Sequence, residues 1–103
     1  NLTMEYIELN LRKALSFVED VLEEISNKLD QAEENESTQA QQSFLELKKE
    51  GYNVLGIKIL IKRLLNENIF EYENYIIYNL VKNEVETLKE RYPNFVKEKY
   101  FLE

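Results

Sequence analysis

Met4, Ile7, Leu11, Ala14, Val18, Val21 and Ile25 follow one another at alternating steps of three and four, and no glycine or proline interrupts the chain from Thr3 to Ala32. That spacing gathers the apolar side chains on one side of a helix with 3.6 residues per turn. Leu15, Leu22 and Leu29 repeat beside them and widen the stripe. Thr3 is placed to cap the start, although the residue three positions on is Tyr6 and not the Glu or Gln of a capping box. A helix over residues 3–32 would be about 45 Å long at 1.5 Å per residue. That is long for a domain of 103 residues.

Turn signals are scarce in the rest of the chain. It holds two glycines and one proline, too few for a sandwich or barrel, which turns every eight to twelve residues or so. Residues 33–38 (EENEST) contain nothing apolar and read as a solvated loop. Ser37 or Thr38 then caps a second helix over residues 39–50, and Gly51 stands where a helix-terminating glycine belongs. Asn53 is placed to cap a third helix over 54–65, whose Val54, Ile57, Ile61 and Leu64 mark it for the core. Asn66-Glu67-Asn68 breaks the chain again, and a fourth helix follows from Ile69, apolar nearly all round as far as Val81. Pro93 opens a short final helix over 94–101.

The expected fold class is therefore all-α, an antiparallel helical bundle of four main helices plus a short C-terminal helix. It forms a single domain over 1–103: a long acidic helix (1–32), a loop (33–38), a helical hairpin (39–66), a long helix (69–92) and a short one (94–101). Two hairpin helices of about 20 Å each cannot cover a first helix of about 45 Å. Its uncovered part must bend, fray or pair with a second chain.

There is no cysteine and no histidine. Disulfides, thiolate nucleophiles and sulfur metal sites are thus excluded, as are the commonest general base and the commonest metal ligand. A non-enzyme is expected, with no catalytic residue, no cofactor and no metal. Apolar runs such as Ile59–Ile61 are far too short to span a membrane. No basic-then-apolar segment opens the chain, and the default location is cytoplasmic. Leu102 and Glu103 resemble residues left by cloning before a tag and are set aside.

Net charge is −7 but unevenly spread. Residues 1–36 carry three basic and ten acidic side chains, 37–66 five basic and two acidic, and 67–103 five basic and eight acidic. Phosphate backbones and anionic membranes repel an acidic chain, so no nucleic-acid partner is expected. A basic protein would be steered toward the first third; equally, that helix keeps the chain soluble.

Glu19, Asp20, Glu23 and Glu24 contain the Asp-x-x-Glu spacing that puts two carboxylates on one helical face. All-helical nucleotide pyrophosphatases hold magnesium between two such pairs, which makes a magnesium-dependent nucleotide hydrolase one alternative. It requires Glu19 and Glu23 to face inward, whereas the apolar stripe turns them outward. Residues 44–64 have the outline of a helix-turn-helix, with a glycine at the turn and positive charge. An αα-hairpin needs the same glycine, and the second helix offers few polar groups to read bases.

Tyr72, Tyr75 and Tyr78 lie within two turns, with Phe70 beside them. Tyrosine is enriched at binding hot spots because one end is apolar and the other wet. These four residues, with Glu19, Asp20, Glu23 and Glu24 as a steering patch, form the candidate partner-binding surface. The function expected is stoichiometric binding of another protein, as an inhibitor, an immunity or antitoxin-like protein, or a regulatory adaptor. A homodimer built on the first helix is the structural alternative. Bacteriocin immunity proteins, antitoxins and phage-encoded inhibitors include small bundles of this size, an analogy of size and fold class alone.

Overall fold

The computed structural model describes residues 3–32 and 37–97. Among them are three α-helices, α1 (Met4–Ala32), α2 (Thr38–Asn66) and α3 (Tyr72–Arg91), followed by a 3-10 turn at Pro93–Phe95. No strand occurs among the described residues. The all-α expectation holds, but the helix count does not: three helices and a short turn replace four main helices and a fifth short one.

The difference lies at Gly51, where a hairpin was expected and α2 runs straight through. Neither glycine takes the left-handed backbone of a helix terminus. Gly51 instead lets α1 approach closely, since a Cβ there would lie 3.3 Å from Ile25 Cγ2. A mid-helix glycine costs about 0.5–1 kcal/mol relative to alanine. Burying Val54, Ile57, Ile61 and Leu64 outweighs that cost. The helix-turn-helix outline disappears with the hairpin, because residues 44–64 form one helix.

The capping signals fare better. The Tyr6 amide donates to Thr3 Oγ1 at 3.1 Å, and the Ala40 amide donates to Ser37 Oγ at 3.1 Å. The next helix starts at Tyr72 and not at Ile69, because Asn68 organises a turn first. Its Oδ1 accepts from the Phe70 amide at 3.0 Å, and its carbonyl accepts from Asn74 Nδ2 at 2.9 Å. Ile69 is buried within that turn and plugs the end of the core. In place of the expected helix over 94–101, the chain makes the 3-10 turn; Tyr100 and Phe101 lie outside the described residues.

Cross-helix contacts set the topology. Glu19 pairs with Lys58, and Ile25 faces Gly51, so α2 descends along α1. Arg63 reaches Glu73, and Glu50 reaches Arg91, so α3 rises again along α2. Helices α1 and α2 have 29 residues each and α3 has 20. The continuous α2 therefore matches α1 in length, which removes the coverage shortfall that suggested a dimer on the first helix. Among the described residues, α3 stops level with Glu50, and the far ends of α1 and α2 continue beyond it as a two-helix arm.

The core confirms the stripe on α1 from Ile7 to Ile25 and adds to it, whereas Met4, the first residue of the stripe, is 48% exposed. Ile7, Leu11, Ala14, Val18, Val21 and Ile25 are buried, but so are Asn10 and Phe17, which the heptad count omits. Leu15, Leu22 and Leu29 are only partly buried. A helix packed against two others buries a wider arc than a two-stranded seam, and here the extra width falls on the side of Asn10 and Phe17.

Candidate functional site

The three helices disperse the residues singled out from the sequence. Phe70 and Tyr72 are strongly exposed and Tyr75 is half exposed, but Tyr78 is 5% exposed and belongs to the core. Its inward position follows from the buried row Asn74, Tyr78, Val81, Val85 and Leu88 along α3. Burial pushes the Tyr78 hydroxyl above its ordinary pKa, with Tyr6 and Tyr75 adding to the effect. Tyr78 thus offers no ring face to a partner.

The acidic residues lie at the other end of α3, level with the 3-10 turn. Asp20 pairs with Lys97 at 3.1 Å, and Asp20, Glu23 and Glu24 share a shallow groove with Asn94 and Phe95. Residues 72 and 93 are about 30 Å apart along the helix, so tyrosines and carboxylates form two patches and not one. Glu19 is held by Lys58 at 3.4 Å, and Glu24 by Lys28 at 3.7 Å. Much of the steering charge is therefore balanced within the molecule. Glu19 and Glu23 face solvent on α1, contrary to what an inward-facing magnesium site needs. Among the described residues no three carboxylates converge as metal ligands.

A partly buried polar cluster ties α2 to the end of α3. Glu50 receives the Tyr92 hydroxyl at 2.8 Å through Oε2 and pairs with Arg91 at 2.6 Å through Oε1. Tyr92 also meets Phe95 edge-on, with ring centroids 6.4 Å apart. Loss of hydration, then the hydrogen bond to the Glu50 carboxylate, push the Tyr92 pKa up to about 12. A tyrosine whose folded pKa exceeds its unfolded value of about 10 stabilises the fold fully below pH 10 or so. That contribution drains away as pH rises through about 12. Urea midpoints measured from pH 9 to 12 are expected to fall less steeply for Tyr92→Phe than for the parent chain. Parallel slopes would mean that this hydroxyl is not coupled to folding.

A surface the sequence reading passed over runs along the outside of α2. Leu45, Tyr52, Leu55 and Ile59 are all exposed, Tyr52 by 63% and Ile59 by 58%. Leu45, Lys49, Tyr52, Gly56, Ile59 and Arg63 step by three and four along one side of the helix. Beside this row Tyr72, Ile76 and Leu80 follow at intervals of four along α3, each at least half exposed. Between the two helices lies a groove of about 470 Å³, lined by Tyr52, Gly56, Ile59, Leu60, Leu80 and Glu84 among others. A Cβ at Gly56 would meet nothing within 4 Å, so the missing side chain deepens the groove.

Glu84 is the charged side chain of its lining, and the basic side chains of α2 lie outside it. Lys48, Lys49 and Lys62 are exposed, while Lys58 and Arg63 are bound by Glu19, Glu67 and Glu73. The signal was legible in principle: a second apolar row on the opposite side of a helix from Val54, Ile57, Ile61 and Leu64. Splitting the helix at Gly51 broke that row in two and concealed it.

Fold and surface together define a class, a three-helix up-down-up bundle with an apolar groove between its second and third helices. No family model, curated protein or solved structure matches the chain. No described helix is long and apolar enough to cross a membrane.

Proposed function

We propose that the chain is a protein-interaction module that acts by stoichiometric binding, as an inhibitor, immunity-type protein or regulatory adaptor. The observation that carries this reading is the α2–α3 groove. Tyr52, Ile59, Ile76 and Leu80 are each half or more exposed, side by side on two adjoining helices. Solitary exposed apolar residues are ordinary, but a contiguous row of them is a feature of surfaces that meet a partner. Tyr52 and Tyr72 add the residue type most often found at binding hot spots.

This groove replaces the composite of tyrosines and carboxylates as the preferred surface. Tyr72 lies on the same α3 row as Leu80 but two turns before it and outside the groove lining, as do Tyr75 and Phe70, and the acidic patch of α1 stands apart. Sequestering a partner by this face needs no chemistry from the chain itself.

The test is site-specific photo-crosslinking in extracts of the source cells, with a photoreactive residue at Ile59, at Leu80, or at Ser16 on the outer face of α1. The groove positions are expected to give one discrete adduct at one-to-one mass, and Ser16 none. If Ile59 and Leu80 give no adduct beyond that of Ser16, the interaction-module reading fails.

A further inference from the structure

We propose that residues 68–78, the turn before α3 and its first two turns, form a flap that opens away from α1 while the rest of α3 stays docked. The inference is independent of the interaction-module reading. It starts from two buried amides. Asn10 and Asn74 are polar, yet each is 1% exposed. Neither Asn10 Nδ2 nor Asn74 Oδ1 has a hydrogen-bond partner among the described residues. An amide atom buried in this way gives up its hydration and gains nothing in return.

Both asparagines lie where α3 runs along α1. Tyr6, Asn10, Phe17 and Glu24 share one side of α1 at helical spacing. From that side Tyr6 acts electrostatically on Tyr78, and Glu24 on Tyr92. Asn74 begins the buried row of α3. Its Nδ2 donates to the Asn68 carbonyl at 2.9 Å, a bond within the flap that opening leaves intact.

The two halves of α3 are held differently. In the second half Val81, Val85 and Leu88 are fully buried, and Arg91 and Tyr92 fasten the end to Glu50. In the first half the inward place falls to Asn74, while Tyr72, Tyr75 and Ile76 are at least half exposed. Much of its apolar surface therefore faces out, and its amide faces in. This half is held by the Tyr78 ring and by Ile69, which lines a small cleft with Ile7, Leu11 and Leu64. The Arg63–Glu73 ion pair adds little, because Glu73 is 75% exposed. Opening hydrates both asparagines, frees Tyr78 and uncovers Ile7 and Leu11 at this end of the core. An element with such contacts belongs to the low-stability part of a fold.

Native-state hydrogen exchange, followed by NMR in low urea, tests the proposal. Relative to their intrinsic rates, the amides of residues 76–79 are expected to exchange at least about tenfold faster than those of 85–88, with little dependence on urea. Val85→Ala removes a contact that the open state keeps. It should speed exchange at 85–88 and leave 76–79 unchanged. Asn74→Val replaces the amide with a side chain that needs no partner, and the two residues have similar helix propensity. The Asn68 carbonyl still accepts from the Glu71 amide at 3.2 Å, so no new orphan is made. Exchange at 76–79 should slow about tenfold in Asn74→Val, and by a similar factor in Asn10→Val.

Equal protection along α3 would overturn the flap. So would Val85→Ala speeding residues 76–79 as much as 85–88, because α3 would then open only with the whole fold. If exchange at 76–79 slowed in neither valine variant, the asparagines would not be what loosens this contact, and the proposal would fail on that ground.

Discussion

Phe17→Ala is expected to destabilise the protein by about 3–5 kcal/mol, the range for deleting a fully buried phenyl ring from a core. Phe17 is 1% exposed and is the bulkiest of the fully buried side chains. Small domains are stable by about 5–15 kcal/mol in total, so the variant would lose a large share of its stability. Collapse around the hole is restricted, because Val18, Val21, Val54, Val81 and Val85 are short, stiff at χ1 and already buried. Leu15→Ala is the control on the same helix: Leu15 is only partly buried and should cost clearly less. Urea denaturation monitored by circular dichroism reads both. If the two variants lost similar stability, the buried arc of α1 would not extend past the heptad stripe to Phe17.

Asn53→Pro is the second large effect, expected at about 3 kcal/mol or more. Asn53 is exposed in the middle of α2, so its side chain contributes little to the core. Proline there removes the backbone hydrogen bond to the preceding turn and drives its ring into the carbonyl of residue 49. In a hairpin that turned at Gly51, the same position would lie at a helix start, where proline is readily tolerated. The experiment therefore separates one continuous α2 from two short helices. Asn53→Ala serves as the reference and should leave stability unchanged or slightly raised. Should Asn53→Pro unfold at the same urea concentration as Asn53→Ala, α2 would be broken there.

The two variants mark where sequence reading succeeded and where it failed. The α1 stripe was legible because a surface helix buries one side, and the alternation of threes and fours from Met4 to Ile25 has no competing period. Thr3 and Ser37 were legible as caps because capping is local: a hydroxyl three residues from an amide needs no third element. Gly51 was misread because the same residue type serves two purposes. A glycine before Asn53 resembles a helix terminus, whereas here it admits Ile25 at close range, and that contact comes from a residue 26 positions away.

The candidate site was less legible than the fold. Exposed Tyr72 and Tyr75 could be proposed from their type, but Tyr78 could be assigned to the core only once α3 had a buried row. Glu19 and Asp20 were read as free charge, yet each faces a lysine supplied by a distant segment, Lys58 and Lys97. The exposed row of α2 was legible, but the groove itself was not, because it needs two helices side by side.

By itself, then, the sequence determined the all-helical class, the start of α1 and of α2, and the apolar side of α1, all of which follow from periodicity and from neighbours a few residues apart. Only the tertiary structure decided that Gly51 and Gly56 lie within one helix. It likewise decided which tyrosines are buried, which carboxylates are paired, and that Ile59 and Leu80 share a groove. The physical reason is the same in each case. Burial and pairing are properties of helices brought together, and a side chain's type states what it can do but not what will stand opposite it.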